Sequence, residues 1–192
     1  MNNILYINAC CRENSRTNEL AQHLLGSLSG NIQSVNLYEE NIRPLDAELL
    51  SKRDKLLKSG KTDDDFFSLA RQFASADTIV IAAPYWDLMF PSILKVYLEN
   101  ITVCGVTFCY SDKGIPQSLC KAKNLYYVTT AGGFIGENNF GFDYIKALAT
   151  VFFGIGNVRF FSAEGLDIYC ADVDDIMKKT KENMLFEFCD KT

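Results

Sequence analysis

Histidine is almost missing from this chain, with His23 the only one. A histidine-built metal site or a Ser-His-Asp triad would need that one side chain to be well placed. Its setting among helically spaced leucines reads instead as a surface or helix-packing residue. No C-x-x-C occurs, and the seven cysteines follow no repeated spacing. That argues against structural zinc and a disulfide scaffold and fits a reducing cytoplasm. A basic excess is missing too. The formal net charge is −5, so no nucleic acid is expected as partner, because phosphate backbones call for a basic face. Long apolar runs are lacking: TIVIAAPYW is far too short to span a bilayer, and no membrane partner is expected. MNNILYINA has no basic segment, no long apolar stretch and no cleavage site, so it does not read as a signal peptide. Internal repeats, low-complexity segments and linkers are also absent.

What is present reads as a soluble globular chain. Its 192 residues suffice for one domain, 1–192, with a sizeable core. Residues 3–8 are short, apolar and without alternation, which suits a strand buried on both faces. Leu20, Leu24, Leu25 and Leu28 then form one helical stripe that ends near Gly26 to Gly30. Residues 32–37 make a weaker strand, and 45–58 and 62–75 look helical. Asp63, Asp64 and Asp65 fall in a first helical turn, where the helix dipole favours them. The strand at 78–83 is the most apolar stretch. Pro91 suits the first turn of the next helix, whose face is Ile93, Leu94, Tyr97, Leu98 and Ile101. A long connection at 104–122 contains a short extended piece, VTFCY. Strands at 124–130 and 157–162, a helix near 141–153 and a last helix from Asp172 to Phe188 complete the chain.

Five alternations of strand and helix imply a five-stranded, doubly wound parallel sheet with helices on both faces. Ligands of such sheets bind beyond the carboxyl ends of the strands, where strand order reverses. Three segments follow such ends. NACCRENSRT carries Ser15 and Thr17 and the amides of a helix N-terminus, which together favour an anion such as a phosphate. Either hydroxyl could instead simply cap the helix. The segment is neither a Walker A motif nor a G-x-G-x-x-G fingerprint. PYWDLMF puts Tyr85 and Trp86 after the most buried strand, to stack on a flat ring or to pack as core. TAGG places Gly132 and Gly133 where backbone could approach a heterocycle, or where the chain merely turns. The conjunction describes a mononucleotide with a planar ring, and a flavin mononucleotide fits all three parts.

The chain resembles the FMN-dependent NADH-azoreductase family, within the flavodoxin-like NAD(P)H:quinone oxidoreductases. The similarity runs through ILYINACCRENSRTNELA, RPLDAEL, APYWDLMFPSILKVYLENITVCGVTFCY, VTTAGG and FFGIGNVRFFSAEGLD. GVTFCY and the AEG after the fifth main strand are its most specific parts. The resemblance implies a flavodoxin-like fold, non-covalent FMN and a homodimer with active sites at the subunit interface. It implies two-step electron transfer from NADH or NADPH to a small acceptor: a quinone, an azo compound or a nitroaromatic. The flavin carries the chemistry, and no side chain is required as acid or base.

By the same resemblance, Ser15, Arg16 and Thr17 match the phosphate loop. Cys10 stands where relatives have a serine, and a thiol is a weaker donor than a hydroxyl. Pro84, Tyr85, Trp86, Asp87 and Leu88 match one loop that holds the ring, with Asp87 where many relatives have asparagine. Thr130, Ala131, Gly132 and Gly133 match the other. Some relatives place a histidine or tyrosine soon after the glycines, where Phe134 and Ile135 stand here. Cys10 is expected to line the cradle and Cys11 to pack behind it, in preference to a redox-active cysteine pair. The alternative function is a flavodoxin-like FMN electron carrier serving protein partners. The acidic charge suits that alternative; GVTFCY does not. A receiver-type signalling domain would need paired aspartates after the first strand, where Cys10, Cys11 and Arg12 stand.

Overall fold

The computed structural model describes residues 2–189, with side chains through Leu185. In chain order the elements are β1 (Asn3–Asn8), α1 (Arg16–Ser27), β2 (Asn31–Asn36), α2 (Ala47–Lys58), α3 (Ser68–Ser75), β3 (Thr78–Ala82) and α4 (Ser92–Ile101). Then come β4 (Phe108–Tyr110), β5 (Pro116–Ser118), β6 (Asn124–Thr130), α5 (Phe140–Val151), β7 (Asn157–Ala163) and α6 (Val173–Cys189). Five strands pair in parallel in the order β2-β1-β3-β6-β7. This is the flavodoxin-like order, in which the winding reverses between β1 and β3.

Burial explains why the strands were legible. Every residue of β3 is buried, as are Ile4 to Ile7 of β1 and Leu125 to Thr129 of β6. Edge strand β2 buries only Val35, which is why its sequence signal is weak. One register row runs Val35, Ile7, Ile81, Tyr127, Phe160. It faces Phe73 of α3, Leu94 and Tyr97 of α4 and Ile145 of α5, with Leu56 and Leu57 of α2 packed against that core. The neighbouring positions Tyr6, Val80 and Tyr126 face Leu20 and Leu24 of α1 and Met177 and Met184 of α6. Each face is thus closed by its own apolar cluster, and the strand ends are left free to build a site.

The structure departs from expectation in one stretch and adds detail to another. Over 62–75 the chain does not form one helix. The Asp64 carboxylate accepts the Phe66 amide at 3.0 Å and opens a 3-10 turn at Asp65–Phe67, and Arg71 ties that turn down through the Thr62 and Asp64 carbonyls. A short acidic side chain that captures a local amide competes with helix propagation, so α3 starts only at Ser68. In the 104–122 connection the extended piece is an antiparallel hairpin of β4 and β5. Buried Thr107 anchors it to the end of α4, donating to the Ile101 carbonyl at 2.8 Å and accepting from the Val103 amide at 3.0 Å. Among the described residues no helix is long and apolar enough to cross a membrane.

Candidate functional site

Beyond the carboxyl ends of β1, β3 and β6 the backbone pairing continues for a residue or two before the loops diverge. Ala9 N–H donates to the Ala82 carbonyl, Tyr85 N–H to Thr130 and Ala131 N–H to Ala163. The diverging loops enclose a cleft of about 330 Å³, within the range of small-molecule sites. Ten of the thirteen residues expected to bind a flavin line it: Cys10, Ser15, Arg16, Thr17, Pro84, Tyr85, Trp86, Thr130, Ala131 and Gly132. Asp87, Leu88 and Gly133 stand just outside the wall.

The first loop presents unpaired donors at the start of α1. Ser15 caps α1, its Oγ accepting the Asn18 amide at 3.2 Å, and still has a hydroxyl proton to donate. Capping and binding are therefore compatible. Helical pairing starts with Glu19 N–H on the Ser15 carbonyl. Among the described residues the amides of Arg16 and Thr17 take no protein acceptor, and they sit at the positive end of the helix dipole. Buried Thr17 shares a 2.6 Å hydroxyl–hydroxyl bond with Thr130, which locks the cradle onto β6.

Cys10 lines the cleft as expected, but Cys11 does not pack behind it. Cys10, two residues past β1, is the buried one, its Sγ directed at the Ala82 carbonyl and its amide held by Asn8 Oδ1 at 2.9 Å. Burial pushes its thiol up to about 11, so it stays protonated and unreactive at neutral pH. Cys11, where the chain leaves the sheet, is exposed and lines the cleft. Both are free thiols.

The aromatic loop is a two-residue hairpin. Trp86 and Met89 exchange backbone hydrogen bonds of 2.8 Å, with Asp87 and Leu88 at φ 49° and 67° between them. Such a turn needs left-handed residues at both central positions. Aspartate tolerates that region; leucine is strained there, on the order of 1–3 kcal/mol. The turn leaves Trp86 40% exposed beside the cleft, a flat apolar surface open to a ring. Tyr85 is half-buried, its hydroxyl donating to the Asn138 carbonyl at 2.8 Å.

In the glycine loop neither Gly132 nor Gly133 takes a left-handed conformation. At 132 the close neighbour is a side chain: a Cβ there would meet the Asp167 carboxylate, which would have to shift. Among the described residues the Gly132 and Gly133 amides donate to no protein acceptor, while their carbonyls receive the Asp167 and Gly165 amides at 2.9 Å. Phe134 follows, 77% exposed.

Sequence reasoning missed Arg12, Asn14, Leu166 and Asp167, all of which line the cleft. Asp167 comes from the loop after β7 and pairs with Arg16 at 3.2 Å. Its position past the AEG segment, at a fourth strand end, was the one available signal. These residues suit an aromatic phosphate monoester: free amides and a guanidinium at one end, an indole and two unpaired amides at the other.

Known proteins bear on the same chain. The flavodoxin-like fold family matches residues 2–185. A protein of Lachnoclostridium phytofermentans named FMN-dependent NADH:quinone oxidoreductase is 34% identical, over 95% of this chain and 96% of its own length. An azoreductase of Bacillus anthracis str. Sterne superposes with a TM-score of 0.84 at 21% identity, covering 97% of this chain and 98% of that one. An FMN-dependent NADH-azoreductase of Bacillus anthracis str. Ames Ancestor, solved in complex with FMN, gives a TM-score of 0.80 at 24% identity, covering 97% and 99%. At those identities the two structures speak for the fold. The chain belongs to the flavodoxin-like fold family and, through a relative 34% identical over nearly its whole length, to the group within it named FMN-dependent NADH:quinone oxidoreductases.

Proposed function

We propose that the chain is an FMN-dependent oxidoreductase that takes two electrons from NADH or NADPH and passes them to a quinone, azo compound or nitroaromatic. The observation that carries this reading is the meeting of three features in one cleft: unpaired amides at the start of α1, exposed Trp86 and the unpaired amide of Gly132, with that of Gly133 just beyond the wall. The relatives' names support it. Bound FMN would supply the two-electron chemistry. Ser15 Oγ–H, the Arg16 guanidinium and the Arg16 and Thr17 amides would hold its phosphate. The Cys10 thiol would add a weak donor, set back by burial. Pro84, Tyr85, Trp86, Asp87 and Leu88 would bound the ring on one side and Thr130, Ala131, Gly132 and Gly133 on the other. The Gly132 and Gly133 amides would offset negative charge gained on reduction.

One mouth serves both substrates, so they bind in turn. NADH alone should bleach the FMN-loaded protein in the absence of air, and steady-state rates should give parallel double-reciprocal lines. Bleaching only after a separate reductase is added would favour the electron carrier instead, and intersecting lines would contradict alternation.

We also propose that residues 1–192 form a single FMN-binding domain that works as a homodimer in a reducing cytoplasm. Exposed Tyr110, Ile115 and Leu119 on the β4–β5 hairpin and Phe134 beside the cleft support a second copy as partner. The six cysteines with described side chains are all free, which suits the compartment. Light scattering should give twice the 21.6 kDa of the chain; a monomer at micromolar concentration would contradict the dimer.

A further inference from the structure

Among the described residues, Asp167 is the one acidic side chain in the wall of the cleft. Its Oδ1 lies 3.2 Å from Nη1 of Arg16, the first residue of α1. Its amide donates to the Gly132 carbonyl at 2.9 Å, and its carboxylate rests where a side chain at 132 would begin. The backbone thus holds a negative charge against the cation of the phosphate cradle. With Asp167 in place the pair carries no net charge, and an arriving phosphate meets one favourable and one unfavourable partner.

We propose that Asp167 competes with the flavin phosphate for Arg16 and so sets how strongly the site prefers FMN over riboflavin. This rests on the FMN reading above. The pair is open to water, with side-chain exposures of 44% and 74%, so the effect is moderate and screened by salt. Asp167→Asn keeps the shape and the backbone contacts, removes the competing charge and leaves Arg16 free for a dianion.

The test is titration of native protein and Asp167→Asn with FMN and with riboflavin, read by quenching of flavin fluorescence at low and high salt. The variant should bind FMN about fivefold more tightly at low salt. That gain should shrink at high salt, and riboflavin affinity should change by less than about twofold in a ligand without charge. A structural role alone would not create this salt dependence. Native protein that binds FMN, with a variant equal or weaker, would overturn the competition and leave the FMN reading standing. Equal weakening toward both flavins would make Asp167 a support for the loop or the ribityl chain and also overturn it. Native protein that binds neither flavin would overturn both readings.

Discussion

Ser15→Asp should fold as well as the native chain and yet lose FMN affinity on the order of a hundredfold. Aspartate caps a helix as well as serine does. Its carboxylate can take the Asn18 amide that Ser15 Oγ now accepts at 3.2 Å. A negative charge also suits the start of α1, so the melting temperature should stay within about 2 °C of native. The same carboxylate would stand in the phosphate cradle. Two like unit charges about 4 Å apart repel by roughly 4 kcal/mol at an effective dielectric of 20. Solvent and relaxation reduce that figure, and about 3 kcal/mol remains against a dianion, which is the hundredfold stated. Riboflavin has no phosphate and should bind both proteins within about threefold, the range expected without a charge term. Fluorescence titration with the two flavins reads both numbers. Equal losses for both, or none for FMN, would put the phosphate elsewhere.

Gly132→Val should remove both flavins, with affinities falling at least about a hundredfold, because the obstacle is steric and acts on a flavin with or without its phosphate. The backbone there is compatible with an L side chain. The added Cβ would collide with the Asp167 carboxylate, and its two methyls would enter a cleft of only about 330 Å³. Overpacking of this kind costs about 1–3 kcal/mol of stability, which leaves the protein folded for titration. The pair of variants separates charge from shape: Ser15→Asp discriminates between the flavins, and Gly132→Val does not. Tight FMN binding by Gly132→Val would contradict the placement of the ring beside the glycine loop.

The sheet was legible because its central strands are buried on both faces. Ile4 to Ile7 and Ile79 to Ala82 read as unbroken apolar runs, and the Leu20, Leu24, Leu25 stripe is the face α1 turns to the core. The three loops were found by topology, since strand ends at the reversal are where ligands lie. Details set by contacts between distant segments were not legible. The Asp64 turn that shortens α3 depends on Arg71 reaching back to two carbonyls. The order of burial in Cys10 and Cys11 depends on where the chain lifts off β1 against Ala82. Asp167 looks like an ordinary acidic loop residue until the fold sets it against Arg16, 151 positions earlier. Likewise the glycine at 132 reads as a turn signal. In the structure it is a space filled by another residue's carboxylate.

The most direct test is the visible absorption spectrum of the purified chain, taken as isolated and again after incubation with FMN and removal of the free flavin. The cleft described above predicts a yellow protein carrying one FMN per chain in the second spectrum. A protein that stays colourless after that incubation would contradict the claim that this site holds a flavin.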